Sequence, residues 1–231
     1  MKRLFIFIMG VMMPVVATSR TFDMKQLGAD AKGIKPCTKL INQTIEKAAS
    51  EGGGTIYFPA GTYLTATIHM KSNITLHLES GAIVRFSDRF EDYLPFVTAR
   101  WEGTVMQTLS PLIYAHSADN LTITGRGTLD GNGLKWWLWE FETRKVIKEN
   151  GGKLPSLDKL QQMWVDANKD LEISDYYKPS LERKMFRPPF IQFYECTNIL
   201  IENVKIINSP FWTVNPAFCD NVTIHGVTIN N

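Results

Sequence analysis

A repeat near the end of the chain constrains the fold more than any other feature. Cys196-Thr-Asn-Ile-Leu-Ile-Glu-Asn-Val-Lys-Ile and Cys219-Asp-Asn-Val-Thr-Ile-His-Gly-Val-Thr-Ile align position for position, so Asn198 and Asn221 stand 23 residues apart. The same grammar, Asn, apolar, any, apolar, any, Gly or Asn, returns at Asn120-Leu-Thr-Ile-Thr-Gly and more loosely at Asn73-Ile-Thr-Leu-His-Leu. Within the repeat Ile199, Ile201, Val204 and Ile206 alternate with Leu200, Glu202 and Lys205, the period of strands with one buried face. A leucine-rich or helical repeat would need other spacings. The reading is an all-β, right-handed parallel β-helix, each coil stacking on the last at about 4.8 Å and burying a column of Ile, Val and Leu. Asn suits the bends because it tolerates the left-handed conformation and its amide can ladder to the next coil.

The first residues carry a different signal. Met-Lys-Arg, the apolar run Leu4 to Met13 and the small residues Ala17 and Ser19 predict a signal peptide over 1–19, cut before Arg20, and an exported, periplasmic or extracellular protein. The run is too short to span a membrane. Without Lys2 and Arg3 basic and acidic residues balance, which argues against nucleic acid as a partner. Cys37, Cys196 and Cys219 allow at most one bridge; a Cys196–Cys219 disulfide and two stacked free thiols both fit the register. His69, His77, His116 and His225 show no metal-ligand spacing, so no metal or cofactor is expected.

Along 20–231, expected to form one solenoid domain, the pattern predicts a capping helix from about Thr38 to Ser50 with Ile41, Ile45, Ala48 and Ala49 on one face and Gly52-Gly-Gly54 ending it. Strands are expected at Thr55–Phe58, Thr62–Ile68, Ile74–Leu78 and Ile83–Phe86. The stretch 134–189 reads as a long excursion, with Trp136, Trp137, Trp139 and Trp164 and a helical look over Leu157–Asn168; coils resume at Phe190.

In order, Phe22-Asp-Met-Lys-Gln-Leu-Gly-Ala, Gly52-Gly-Gly-Thr-Ile-Tyr-Phe-Pro-Ala-Gly-Thr-Tyr63, Gly127-Thr-Leu-Asp-Gly-Asn-Gly133, Arg187-Pro-Pro-Phe190 and Asn208-Ser-Pro-Phe-Trp-Thr-Val-Asn-Pro216 resemble the N-terminal portion of polygalacturonase-type enzymes, family 28 of the glycoside hydrolases. The resemblance implies inverting hydrolysis of α-1,4-galacturonosidic bonds in pectic polysaccharide or oligogalacturonide, one carboxylic acid protonating the leaving oxygen while carboxylates opposite it activate water. It also implies four catalytic motifs, yet no Asn-x-Asp-Gly, Asp-Asp, Gly-His-Gly or Arg-Ile-Lys occurs here. In the family they follow the Ser-Pro-Phe-Trp stretch. With a last strand that lacks a cap, this leads to the expectation that the sequence is the N-terminal part of a longer enzyme, with no catalytic residue before Asn231 and no activity as it stands.

Candidate binding residues follow from the same alignment. Trp212 and Asn215 fall about one coil before the position of the family's first catalytic aspartate, which would place them beneath the cleft floor; packing is the competing role for Trp212. Trp136, Trp137 and Trp139 fit either sugar stacking or anchoring of the excursion. Arg187 and Lys205 could meet galacturonate carboxylates, or simply be solvated. Asp130, in Leu-Asp-Gly-Asn-Gly, and Asp119 and Asp220 read as turn residues. Two other classes remain open: a pectate lyase, which would need clustered acids for Ca²⁺, and a non-catalytic β-helical adhesin or sugar-binding scaffold.

Overall fold

In the computed structural model, which describes residues 20–152, 154–171 and 187–231, the repeat becomes a coil that visits three parallel sheets in turn. The first sheet holds β1 (Arg20–Asp23), β2 (Gly54–Phe58), β5 (Ile74–Leu78), β10 (Asp119–Gly125), β13 (Thr197–Glu202) and β15 (Asp220–His225), neighbours in that order. The second holds β3 (Gly61–Thr65), β6 (Ala82–Phe86), β11 (Thr128–Asp130), β14 (Lys205–Ile207) and β16 (Thr228–Asn230). The third holds β4 (Ile68–His69), β9 (Ile113–His116) and β12 (Ile191–Tyr194), extended by bridges from Ile191 to Val214 and Tyr194 to Ala217. This is the all-β parallel β-helix read from the repeat.

In-register pairing makes the core a set of side-chain columns. Ile56, Leu76, Ile123, Ile201 and Ile224 pair successively through the first sheet, and Tyr63, Val84, Leu129, Ile206 and Ile229 through the second. Gly54, Ile56, Phe58, Ile74, Leu76 and Leu78 are buried while Thr55, Tyr57, Thr75 and His77 between them stay partly open, as alternation demands. The columns are buried from Ile56 to Ile206, whereas Ile224 and Ile229 are half-exposed.

The bends are equally regular. Asn73, Asn120, Asn198 and Asn221 all have left-handed φ, between 54° and 63°. Each amide donates to the Oδ1 of the coil before it: Asn120 to Asn73 at 2.7 Å, Asn198 to Asn120 at 3.1 Å, and Asn221 to Asn198 at 2.7 Å. The ladder is the one the repeat predicts. At the opposite end of β10, Gly125 has φ +108°, and an added Cβ would stand 2.0 Å from the Leu78 carbonyl oxygen; only glycine fits.

Helix α1 (Thr38–Ser50) covers the first coil with Ile41, Ile45 and Ala48 buried, and Asn42 donates to the Thr67 carbonyl while accepting from the His69 N–H, both at 2.8 Å. A side chain thereby satisfies strand groups that the end of a solenoid leaves open. The single strand expected over Thr62–Ile68 divides into β3 and β4. At Ala66-Thr67 the chain turns from the second sheet to the third, and the Thr38 hydroxyl accepts the freed Ala66 N–H at 2.7 Å.

Apart from the capping segment 24–53, the long departures among the described residues leave by that same corner, after the second sheet and before the third. The first, 87–112, contains a short 3-10 turn (Phe90–Tyr93) and the antiparallel hairpin β7 (Val97–Trp101) and β8 (Thr104–Thr108). The second, 131–190, contains α2 (Leu134–Glu149) and α3 (Lys159–Ala167), so the expected helix over Leu157–Asn168 forms while Leu134–Glu149 is helical as well. The expected signal peptide, and the parts of this excursion at 153 and 172–186, lie outside the described residues. Among the described residues no helix is long and apolar enough to cross a membrane.

Candidate functional site

The corner gathers polar groups at the ends of the second-sheet strands. Arg85, at the end of β6, donates from Nε to Asp130 Oδ2 at 2.9 Å. Asn208, just past β14, donates from Nδ2 to Asp130 Oδ1 at 2.8 Å, and the Asn132 N–H meets the same oxygen at 3.1 Å. One coil on, Asn231 Oδ1 accepts from the Ser209 N–H at 2.9 Å and Asn231 Nδ2 donates to the Thr213 hydroxyl at 2.7 Å. Asp130 is buried and both its oxygens are occupied, so its role is to tie neighbouring coils and hold the turn. Asp130 is the last residue of β11 and holds the turn that follows through the Asn132 N–H, with an ion pair that local sequence did not reveal.

Beside this column lies a stack of rings and one guanidinium. Arg187 is 7% exposed, packed 3.9 Å from the Trp137 ring centroid and 4.9 Å from that of Phe211. Its Nη1 donates to the Pro210 carbonyl at 2.7 Å, and Glu140 of α2, also buried, pairs with its Nε. Burial draws the guanidinium pKa down, and the Glu140 carboxylate opposes that shift. Trp137 Nε1 donates to the Ser209 carbonyl at 2.9 Å. Phe211 stacks on Trp212 with centroids 5.1 Å apart and planes 9° from parallel, and on Trp101 of the hairpin at 6.2 Å. Both excursions are thus fastened to the turn that follows β14, and the outermost ring of the stack, Trp212, is 41% exposed.

The residues singled out in the sequence separate accordingly. Trp212 sits on the corner with an open edge. Asn215 lies beyond it at the start of the third-sheet segment, its N–H bonded to the Ile191 carbonyl at 2.9 Å and its side-chain nitrogen buried without a protein partner. Trp136 is fully buried, stacked on Phe90 at 4.0 Å and edge-on to Tyr93 at 5.6 Å, with Trp139 edge-on to Phe90; these rings anchor α2. Arg187 is buried and bonded to Glu140 and Pro210, so it is not the solvated surface cation of the competing expectation. Lys205 points outward from β14 between Thr128 and Thr228. Asp119 and Asp220 open β10 and β15 beside the asparagine bends.

Three contributors escaped the sequence reading. Glu140 belongs to a stripe of buried α2 residues, Trp136, Glu140, Thr143 and Ile147, whose helical spacing is legible but half polar. Gln192, fully buried, exchanges two hydrogen bonds with the Arg100 backbone, 3.1 and 2.8 Å, and pins the hairpin to the third sheet. The triplet Asn168-Lys-Asp170, which echoes a family motif without its glycine, ends α3: the Asn168 amide pairs with the Gln107 backbone at 2.9 and 2.8 Å. Cys196 and Cys219 are free thiols on adjacent coils, donating to the Tyr194 and Phe193 carbonyls, and burial pushes Cys196 up to about 11. Among the described residues no three His, Cys, Asp or Glu side chains gather as metal ligands.

Comparison with known proteins gives one matching family model, described as rhamnogalacturonase A/epimerase, pectate lyase-like, over residues 21–137. A probable polygalacturonase of Vitis vinifera is 28% identical over 191 residues, 80% of this chain and 31% of the relative. The structure of a hyperthermoactive exopolygalacturonase from Thermotoga maritima superimposes with a TM-score of 0.72 at 35% identity, covering 92% of this chain and 47% of that one. A family 28 exopolygalacturonase of Yersinia enterocolitica shares the fold, with a TM-score of 0.66 at 21% identity over 92% of this chain and 39% of that one. The chain therefore spans less than half the length of each of these relatives.

Proposed function

Because the chain belongs to the rhamnogalacturonase A/epimerase, pectate lyase-like family, we propose that its coils hold a galacturonate-containing pectic polysaccharide for hydrolysis at α-1,4-galacturonosidic bonds, in a protein exported by the segment 1–19. The observation that carries this reading is the convergence of all the long excursions on one corner, where a rigid stack presents the open edge of Trp212 beside a polar column. A flat ring held by neighbours on its far side suits the apolar face of a sugar, and hydroxyls suit the asparagine and threonine groups next to it. Function placed on loops over a rigid scaffold is the general pattern.

The described residues bind and orient rather than transfer protons. Inverting hydrolysis needs an acid and a base about 6.5–9.5 Å apart and free to exchange protons with the substrate. At this corner the buried carboxylates are Asp130 and Glu140, each committed to a guanidinium. The 231-residue chain is accordingly expected to retain polygalacturonate without cleaving it. Incubation with polygalacturonate, with and without a calcium chelator, should yield neither new reducing ends nor unsaturated product while the polymer is retarded with the protein. Chelator-insensitive release of reducing ends would show that these residues do carry catalysis, and calcium-dependent unsaturated product would replace hydrolysis with elimination.

A further inference from the structure

A second recess lies on the same corner, two to three coils before Trp212. It is an open cleft of ≈ 380 Å³ between the first two coils and the segment ahead of α1. Its apolar side is formed by Ile34 and Pro36, Ile34 being 73% exposed. Its polar side is formed by Thr65, Ser87, Arg89 and Asp92.

The floor is fixed in advance. The Ser87 N–H bonds the Thr65 carbonyl at 2.7 Å, the Cys37 N–H bonds the Leu64 carbonyl at 2.7 Å, and the Tyr93 hydroxyl donates to the Ser87 carbonyl at 2.6 Å. Ser87 Oγ donates to Asp92 Oδ2 at 2.6 Å and accepts from the Arg89 N–H at 3.2 Å. Against this rigid background the Arg89 guanidinium is little used: its side chain is 69% exposed and its nearest carboxylate oxygen, Asp92 Oδ1, lies 3.8 Å away. A planar fork with free donors, next to a hydroxyl and an apolar ledge, matches a ring that is apolar on one face and carries a carboxylate at its edge.

We infer that this cleft is a distal subsite for one galacturonate unit of a chain also held at Trp212, with Arg89 receiving the carboxylate and Ile34 and Pro36 the ring face. The inference rests on the pectic reading above. Coils at about 4.8 Å put the cleft on the order of 10 Å or more along the axis from Trp212, so a short oligomer held at Trp212 does not reach it and a longer one does.

The test is calorimetric titration of the 231-residue protein and its Arg89→Met variant with galacturonate oligomers of increasing length. Arg89 is exposed, so the variant keeps its fold, which a melting curve checks. Arg89→Met should weaken the longest oligomers about tenfold and leave the shortest unchanged, and Arg89→Lys should recover part of the loss. Equal affinity of Arg89→Met and the parent for every length, where the parent binds, overturns the distal subsite alone. A parent that binds no oligomer overturns the pectic reading and this inference with it.

Discussion

Arg187 is the side chain whose surroundings say most about its role. A guanidinium 7% exposed, packed against Trp137 and Phe211, paired with Glu140 and donating to the Pro210 carbonyl, is held inside the stack, where it fastens α2 to the Ser209–Trp212 turn. Removing one partner of a buried pair strands the other charge, which costs about 3–5 kcal/mol, whereas removing both costs less than the sum. Glu140→Gln strands the buried Arg187 and should lower stability by about that amount, and Arg187→Met by less because Glu140 keeps Arg144 as a partner; Glu140→Leu/Arg187→Met should be less damaged than the two losses added, and strict additivity in urea unfolding would deny the coupling. Sequence alone showed the asparagine ladder because its partners recur at a fixed spacing. It could not show Arg187 with Glu140 or Arg85 with Asp130, since each pair is separated by more than 40 residues and by a change of element.

At the scale of elements, legibility followed periodicity. Strands β13 and β15 repeat one another and were read residue by residue, and α1 was read from its apolar face and its glycines. Helix α2 was not, because Leu134, Trp136, Trp137, Leu138, Trp139 and Phe141 place large apolar groups all round it and its buried stripe contains Glu140 and Thr143. The hairpin of β7 and β8 had a local signature, Glu102-Gly103 with φ 43° and 92° between alternating strands, that went unread. The bends also set the tolerance of the coil. Gly125→Ala forces a Cβ against the Leu78 carbonyl in a left-handed backbone and should cost about 2–4 kcal/mol. Asn198→Gly keeps the permitted φ and loses only ladder hydrogen bonds, about 1 kcal/mol. The two denaturant midpoints check the order; equal losses would mean that backbone conformation does not govern these bends.

For the molecule as a whole, the coil is a rigid rod of stacked side-chain columns, and its chemical variety is confined to one edge. Two sides turn with a few residues, while the third releases 87–112, 131–190 and 208–213. That asymmetry turns a repetitive solenoid into a groove wall, with the Arg89 cleft toward α1, the Asp130 column at mid-length and Trp212 beyond it. An extended polymer would meet such an edge along its length, as the proposed function requires. The direct measurement is calorimetric titration of the 231-residue protein and its Trp212→Ala variant with a long oligogalacturonide. The account predicts saturable binding by the parent and a loss of about 30-fold in the variant, with cooperative melting showing that the variant is still folded, as for a ring that anchors a ligand. No binding by the parent, or equal affinity in both proteins, would contradict it.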